Sequence, residues 1–116
     1  RIEPYSPQLL ERHRQARRPG VELLDADRVR GPLICRIRRR GDSFGPLGGH
    51  GRKSVSDFLT DLKLPRPRRD RVLCVCDRDG IVYLAPLRIA NRVRLGPASC
   101  RVLRIRVEPP FGPPGE

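Results

Sequence analysis

The residues of this chain whose types and spacing could do chemistry lie between Arg36 and Pro65, in RIRRRGDSFGPLGGHGRKSVSDFLTDLKLP. The chemistry they suggest is the holding of an anion. Arg36, Arg38, Arg39 and Arg40 run up to a Gly41-Asp42 turn, and the loop FGPLGGHG follows. Glycine lets a loop backbone approach a ligand closely, because no Cβ stands in the way. Arg52 and Lys53 then come immediately before a helix starting at Ser54. Free N–H groups and the helix dipole already favour an anion at such a start. Both side chains are expected to be exposed, since burying an unpaired charge is expensive.

Rival chemistries fit less well. A nucleotide-binding phosphate loop needs Gly, four residues, then Gly-Lys-Ser/Thr. Arg52 separates Gly51 from Lys53, and no glycine pairs with Gly51 at the required distance. Neither histidine, His13 or His50, belongs to a nucleophile–base arrangement, although His50 sits in the basic loop and could meet a phosphate or a base. Asp77 and Asp79 flank Arg78 in a tight turn, where aspartates more often bond backbone than act as an acid pair. Cys74 and Cys76 are one residue apart, closer than the two-to-four-residue spacing of structural zinc sites. With Cys35 and Cys100 they read as small buried apolar residues in a reducing cytoplasm. No metal or cofactor site is expected.

The elements that must position the basic residues follow from periodicity. Val55, Phe58, Leu59 and Leu62 recur at i, i+3, i+4, i+7 and predict a helix over 55–62 with one apolar face. Ser54 and Asp57 fit a capping box, and Pro65 closes the segment. Strands are predicted near 21–24, 33–38, 72–76, 81–84 and 100–107, with a hairpin turn at Asp77-Arg78-Asp79-Gly80. Residues 66–71, RPRRDR, read as a basic connector in which Asp70 pairs with a neighbouring arginine, and residues 86–94 read as a second one. Residues 1–20 read as a linker or partial helix starting at Ser6-Pro7. Residues 21–107 form the domain, and the Pro/Gly-rich 108–116 a disordered tail. The fold class is therefore α+β: a small mixed β-sheet with one principal short helix packed on one face.

Composition points the same way. The chain has 116 residues, 25 Lys+Arg against 13 Asp+Glu, and a formal charge of +12. Such a balance favours a polyanionic partner. No apolar run approaches a membrane span, so no membrane partner is expected. The chain starts with Arg1 and reads as a fragment of a longer protein.

The order RGDSFGPLG, GRKSVSDFLTDLKLP, RRDRV, LRIANR resembles the C-terminal domain of bacterial tRNA(Ile)-lysidine synthetase, over roughly residues 24–105. That family reads R-x-x-R-P-G-D-R-F-x-P-L-G-M, a basic run, a Leu-x-Asp-Phe-Phe helix ending Lys-Val-Pro, Arg-Asp-Arg, a hairpin and Gly-Leu-Arg-Ile. Arg40 stands for its proline, Ser43 for a basic residue, Gly49 for methionine and Pro86 for glycine. The resemblance implies a fold like a tRNA-binding module of the phenylalanyl-tRNA synthetase β-subunit. It also implies tRNA recognition through acceptor-stem phosphates. The expected RNA-binding residues are Arg36, Arg39, Arg52, Lys53, Lys63, Arg69, Arg71, Arg88 and Arg92. Gly41, Asp42, Pro46, Leu47, Gly48 and Gly51 would shape the loop, while Ser54, Asp57 and Phe58 hold the helix. The parent enzyme would be an ATP-dependent ligase that adenylates a wobble cytidine for attack by lysine. It would do so in a catalytic N-terminal domain of the same parent chain, whose Ser-Gly-Gly-x-Asp-Ser loop is not in this sequence. Two other readings stay open: a freestanding basic RNA-binding protein, and a structural domain whose arginines form surface ion pairs.

Overall fold

A computed structural model describes residues 2–107; the tail expected at 108–116 lies outside the described residues. In chain order the elements are β1 (Ile2–Pro4), α1 (Pro7–Gln15), β2 (Val21–Asp25), β3 (Ile34–Ile37), β4 (Ser43–Phe44), β5 (Lys53–Ser54), α2 (Val55–Asp61), α3 (Arg66–Arg69), β6 (Leu73–Asp77), β7 (Gly80–Ala85), β8 (Arg88–Ile89) and β9 (Arg101–Arg106). The α+β class holds. The strands, however, divide between a four-stranded sheet in the order β3-β6-β7-β8, a three-stranded sheet in the order β1-β9-β2 and the short pair β4-β5, with every pairing antiparallel. The cause is connectivity. β6, β7 and β8 are joined by tight turns, which produce antiparallel neighbours, whereas β9 returns to the start of the chain.

One core serves both large sheets. All five residues from Ile81 to Ala85 are buried, because β7 is an inner strand covered on both faces. Leu24 and Ile105 of the other sheet join the same cluster as Phe44, Phe58, Leu59 and Tyr83. Their neighbours Leu23 and Val102 face the opposite way and pack with Leu9 of α1. This is the period-two alternation of a sheet covered on both sides. Residues 1–20 thus contribute a strand, β1, that periodicity does not reveal, and a helix with a packed residue. Ser6 Oγ accepts the Leu9 N–H at 3.1 Å and Pro7 opens α1, which ends at Gln15.

α2 buries Val55, Phe58 and Leu59, but Leu62 is 38% exposed. Leu62 is the C-cap, one step beyond the last helical residue, so it leaves the apolar stripe. Lys63 follows with φ 56°, donating to Thr60 O at 2.9 Å, and Leu64 donates to Leu59 O at 3.3 Å. That pair of bonds is a Schellman motif, with a lysine where glycine is usual. At the other end Ser54 Oγ accepts the Asp57 N–H at 3.0 Å, which is the Ser54 half of the expected capping box.

The cysteines split into two pairs. Cys74 and Cys76 are buried on β6, and burial pushes the Cys74 thiol up to about 12. Cys35 and Cys100 are exposed, contrary to the expectation that all four are core. Cys35 lies on β3, an edge strand, and Cys100 in the turn before β9, so neither position is covered.

Phe58 is 4% exposed and meets Phe44 edge-on, with ring centroids 5.3 Å apart. Phe58→Ala is expected to cost about 3–5 kcal/mol. Lys63→Gly is expected to gain about 0.5–1 kcal/mol, because it relieves a left-handed backbone that glycine adopts freely. Urea unfolding of the two variants, read as midpoint at constant slope, checks both.

Candidate nucleic-acid interface

Two basic segments and the start of α2 converge on one cleft of about 810 Å³. The turn after β3 supplies Arg38, Arg39 and Arg40, the segment around α3 supplies Arg66 and Arg71, and the start of α2 places Ser54 and Ser56 between them. Gly41 takes φ 89° to turn the chain back into β4, a conformation that L side chains rarely adopt.

Asp42 lines the cleft, yet its charge is already answered. Arg36 Nη1 and Nη2 each donate to the carboxylate at 2.9 Å, and the Arg39 N–H donates at 2.6 Å. The Arg36 hydrogen bonds hold the Asp42 carboxyl below the usual range, against the opposing effect of burial. The second acid in the cleft, Asp70, stands 3.7 Å from Arg38. Asp70, expected to pair with a neighbouring arginine, instead faces Arg38 from the opposite wall, because the turn after β3 stands across the cleft from α3. What remains open to a ligand is cationic: Arg39, Arg40 and Arg66 are exposed.

The other predicted cations are more dispersed. Arg36 is tied to Asp42. Arg92 is tied to Asp77, with Nη1 and Nη2 at 3.0 and 2.7 Å from the carboxylate and Nη2 also 3.1 Å from Gly80 O. Arg69 donates to Leu64 O at 2.7 Å, satisfying a carbonyl just past the end of α2. Arg88 lies over the Phe58 ring, its Cζ 5.2 Å from the centroid. Arg52 is exposed and donates to Ser43 O and Oγ at 3.1 and 2.8 Å, and exposed Lys53 pairs with Asp61. Neither lines the cleft. Lys63 is exposed at its left-handed position, and Arg71 is half-buried in the cleft wall.

The glycine loop is closed at its base by β4-β5 and docks sideways. Leu47 N–H donates to Ile89 O at 3.0 Å, Asn91 N–H donates to Gly45 O at 2.7 Å, and Pro46 bridges Ala90. Gly48 and Gly51 carry φ 80° and 73°.

Arg38, Arg40 and Arg66 line the cleft but are not among the RNA-binding residues expected above. The runs RIRRR and RPRR held the signal, but nothing local says that the two runs face each other.

The class defined by this fold and cleft is a small antiparallel α+β module presenting an arginine-walled groove; among the described residues no helix is long and apolar enough to cross a membrane. A family model described as the TilS substrate C-terminal domain matches residues 33–107, and the chain belongs to that family. It is 37% identical over 83 residues to a tRNA(Ile)-lysidine synthase of Parabacteroides distasonis, an alignment covering 72% of this chain and 19% of the relative. It is 38% identical over 85 residues to one of Dehalococcoides mccartyi, covering 73% and 18%. The chain therefore spans about a fifth of the length of the curated relatives it matches. Among solved structures, the fold is similar to a TilS C-terminal domain crystal structure, with TM-score 0.63, 24% identity, and coverage of 93% of this chain and 82% of that one. It is also similar to an N-terminal fragment of the phenylalanyl-tRNA synthetase β-subunit from Pyrococcus horikoshii, with TM-score 0.60, 18% identity, and coverage of 80% and 29%.

The paired carboxylates generate a pH expectation. Burial pushes the Asp77 carboxyl up, but the Arg92 side chain and the Arg30 and Asp79 backbone N–H groups outweigh it and bring it down to about 2, below the ordinary 3.8. Asp42 is lowered as well. The folded state thus binds fewer protons than the unfolded chain in acid. This stability is complete above the ordinary carboxylate value and is lost as pH falls towards 2. Urea midpoints should be level from about pH 7 to 5 and drop between about pH 4 and 2. Asp77→Asn should cost about 2–3 kcal/mol at neutral pH and flatten that acid limb.

Proposed function

We propose that this chain is the tRNA-recognising C-terminal domain of a tRNA(Ile)-lysidine synthase, and that its arginine-walled cleft takes acceptor-stem phosphates. The observation that carries the reading is the charge balance inside the cleft: both of its acids face arginines, while Arg39, Arg40 and Arg66 stay exposed. Duplex RNA is recognised largely through backbone and shape, and arginine's planar fork suits phosphate oxygens. Family membership and the relatives' names support the same ligand.

On this reading the parent enzyme is an ATP-dependent ligase of the cytoplasm. ATP and lysine belong to a catalytic N-terminal domain of the parent chain, and this domain grips the far end of the substrate. Arg52, Lys53, Lys63 and Arg88 add to the basic surface outside the cleft. Arg36, Arg69 and Arg92 serve the fold first, which is where the structural-domain reading applies.

A salt series of tRNA binding tests the proposal. Replacing Arg39, Arg40 and Arg66 together with Ala should leave the melting temperature nearly unchanged. It should lower the slope of log K against log salt by about two to three contacts' worth. Arg52→Ala with Lys53→Ala should reduce the slope by less. A triple variant that binds like the parent would remove the cleft from the interface.

A further inference from the structure

A second, smaller cavity of about 210 Å³ opens where α1 meets the loop 45–48 and the segment 88–95. Its lining is of three kinds. Leu10, Leu23 and Leu47 make an apolar wall. Arg14, Arg17 and Arg94 supply positive charge. His13 and Glu22 are nearly enclosed, their side chains 9% and 11% exposed. His13 Nε2 lies 3.5 Å from Glu22 Oε1 and makes no hydrogen bond with protein. Glu22 Oε2 accepts from Arg17 at 3.1 Å. A carboxylate offers about four lone-pair sites, so Glu22 can still accept from a ligand. Buried polar groups ordinarily have partners; His13 Nε2 is sealed from solvent behind Glu22, which leaves the Glu22 carboxylate as the acceptor in the cavity lining.

The size and chemistry select among ligands. The cavity falls below the roughly 300–1,000 Å³ of drug-sized sites, so it suits one small ring. An apolar wall holds a flat ring by its face, as apolar side chains hold an extruded base. A carboxylate accepts from an exocyclic amine, as acidic residues do from the N4 amine of cytosine. The arginines suit the attached phosphate. We propose that this cavity is a pocket for one unpaired, amine-bearing nucleotide, a cytidine or an adenosine, with its amino edge on Glu22 beside His13, its ring against Leu10, Leu23 and Leu47, and its phosphate on Arg14 and Arg94. The RNA ligand rests on the tRNA reading above. In a tRNA, the unpaired 3′ end is the segment whose bases are free to enter.

The two histidines make the test selective, because His50 lies in the glycine loop and does not line this cavity. The trinucleotide CCA is titrated into the full chain while the histidine ring resonances are followed. The expected result is a saturable shift of His13 with His50 unmoved, and a response to UUU that is weaker by about fivefold or more. Leu47→Trp should abolish the shift by filling the cavity. Arg14→Ala, on an exposed side chain, should weaken it and keeps the test alive if the tryptophan variant does not fold. tRNA trimmed of its unpaired 3′ nucleotides should bind about tenfold weaker than intact tRNA, the scale of one seated base. An unmoved His13, an equal response to UUU, or the same shift with inorganic phosphate alone would overturn the pocket. If CCA leaves His13 unmoved while tRNA binding still loses its salt slope in the cleft variant, the pocket fails and the tRNA reading stands. If CCA shifts His13 saturably while intact tRNA does not bind, the pocket stands and the tRNA reading fails.

Discussion

Asp42 ties together segments that connectivity alone would leave apart. Its carboxylate takes a two-pronged contact from Arg36 at the middle of β3 and a third bond from the Arg39 N–H in the turn. Its carbonyl takes the Val55 N–H at 2.8 Å, at the first residue of α2. One residue therefore fixes a strand, a turn and a helix start relative to one another. Arg36 and Asp42 are 19% and 12% exposed, so the pair is shielded from the solvent screening that leaves surface ion pairs nearly worthless. Charge-assisted, paired contacts of this kind also carry direction. The arginines at 38–40 face α3 because Asp42 holds the turn.

The same economy runs through the molecule. Its 13 acidic residues are outnumbered by 25 basic ones, and several of those acids lie inside. Asp77, its side chain fully enclosed, ties the Arg30 backbone, the β6–β7 turn and Arg92 together. Asp25 accepts from Ser99 Oγ across 74 residues, and Glu22 anchors Arg17. Acids drawn inward to organise loops leave the outer surface more basic than the net charge alone indicates. A phosphate-binding role needs that separation.

Much of the architecture was legible because it is periodic. β2, β3, β6, β7, β9 and α2 lie where alternation and i, i+3, i+4 spacing put them, and the Asp77–Gly80 hairpin and the Ser6 and Ser54 caps follow from side-chain chemistry. What was not legible depends on partners far along the chain. Arg92 and Arg36 look like any other arginine until Asp77 and Asp42 are seen beside them. β1 is three residues with a proline, and only its pairing with β9 makes it a strand. Periodicity reports which face a residue occupies. It does not report what stands opposite, and for that reason the facing of Arg38–Arg40 and Arg66 escaped a local reading while Arg52 and Lys53 drew it.

The position of β9 has a consequence for the order of folding. Among the described residues, β1 and β2 have no strand neighbour other than β9, and Val21 pairs with Arg106 across most of the chain. The β6–β7 hairpin is local and can close early, as short-range contacts do. The three-stranded sheet must wait for its central strand, and closing so long a loop costs entropy before any contact offsets it. Val102 and Ile105 of β9 belong to the two clusters on either face of this sheet, so neither cluster is complete until β9 docks. The two apolar clusters that meet across this sheet are therefore completed last and together.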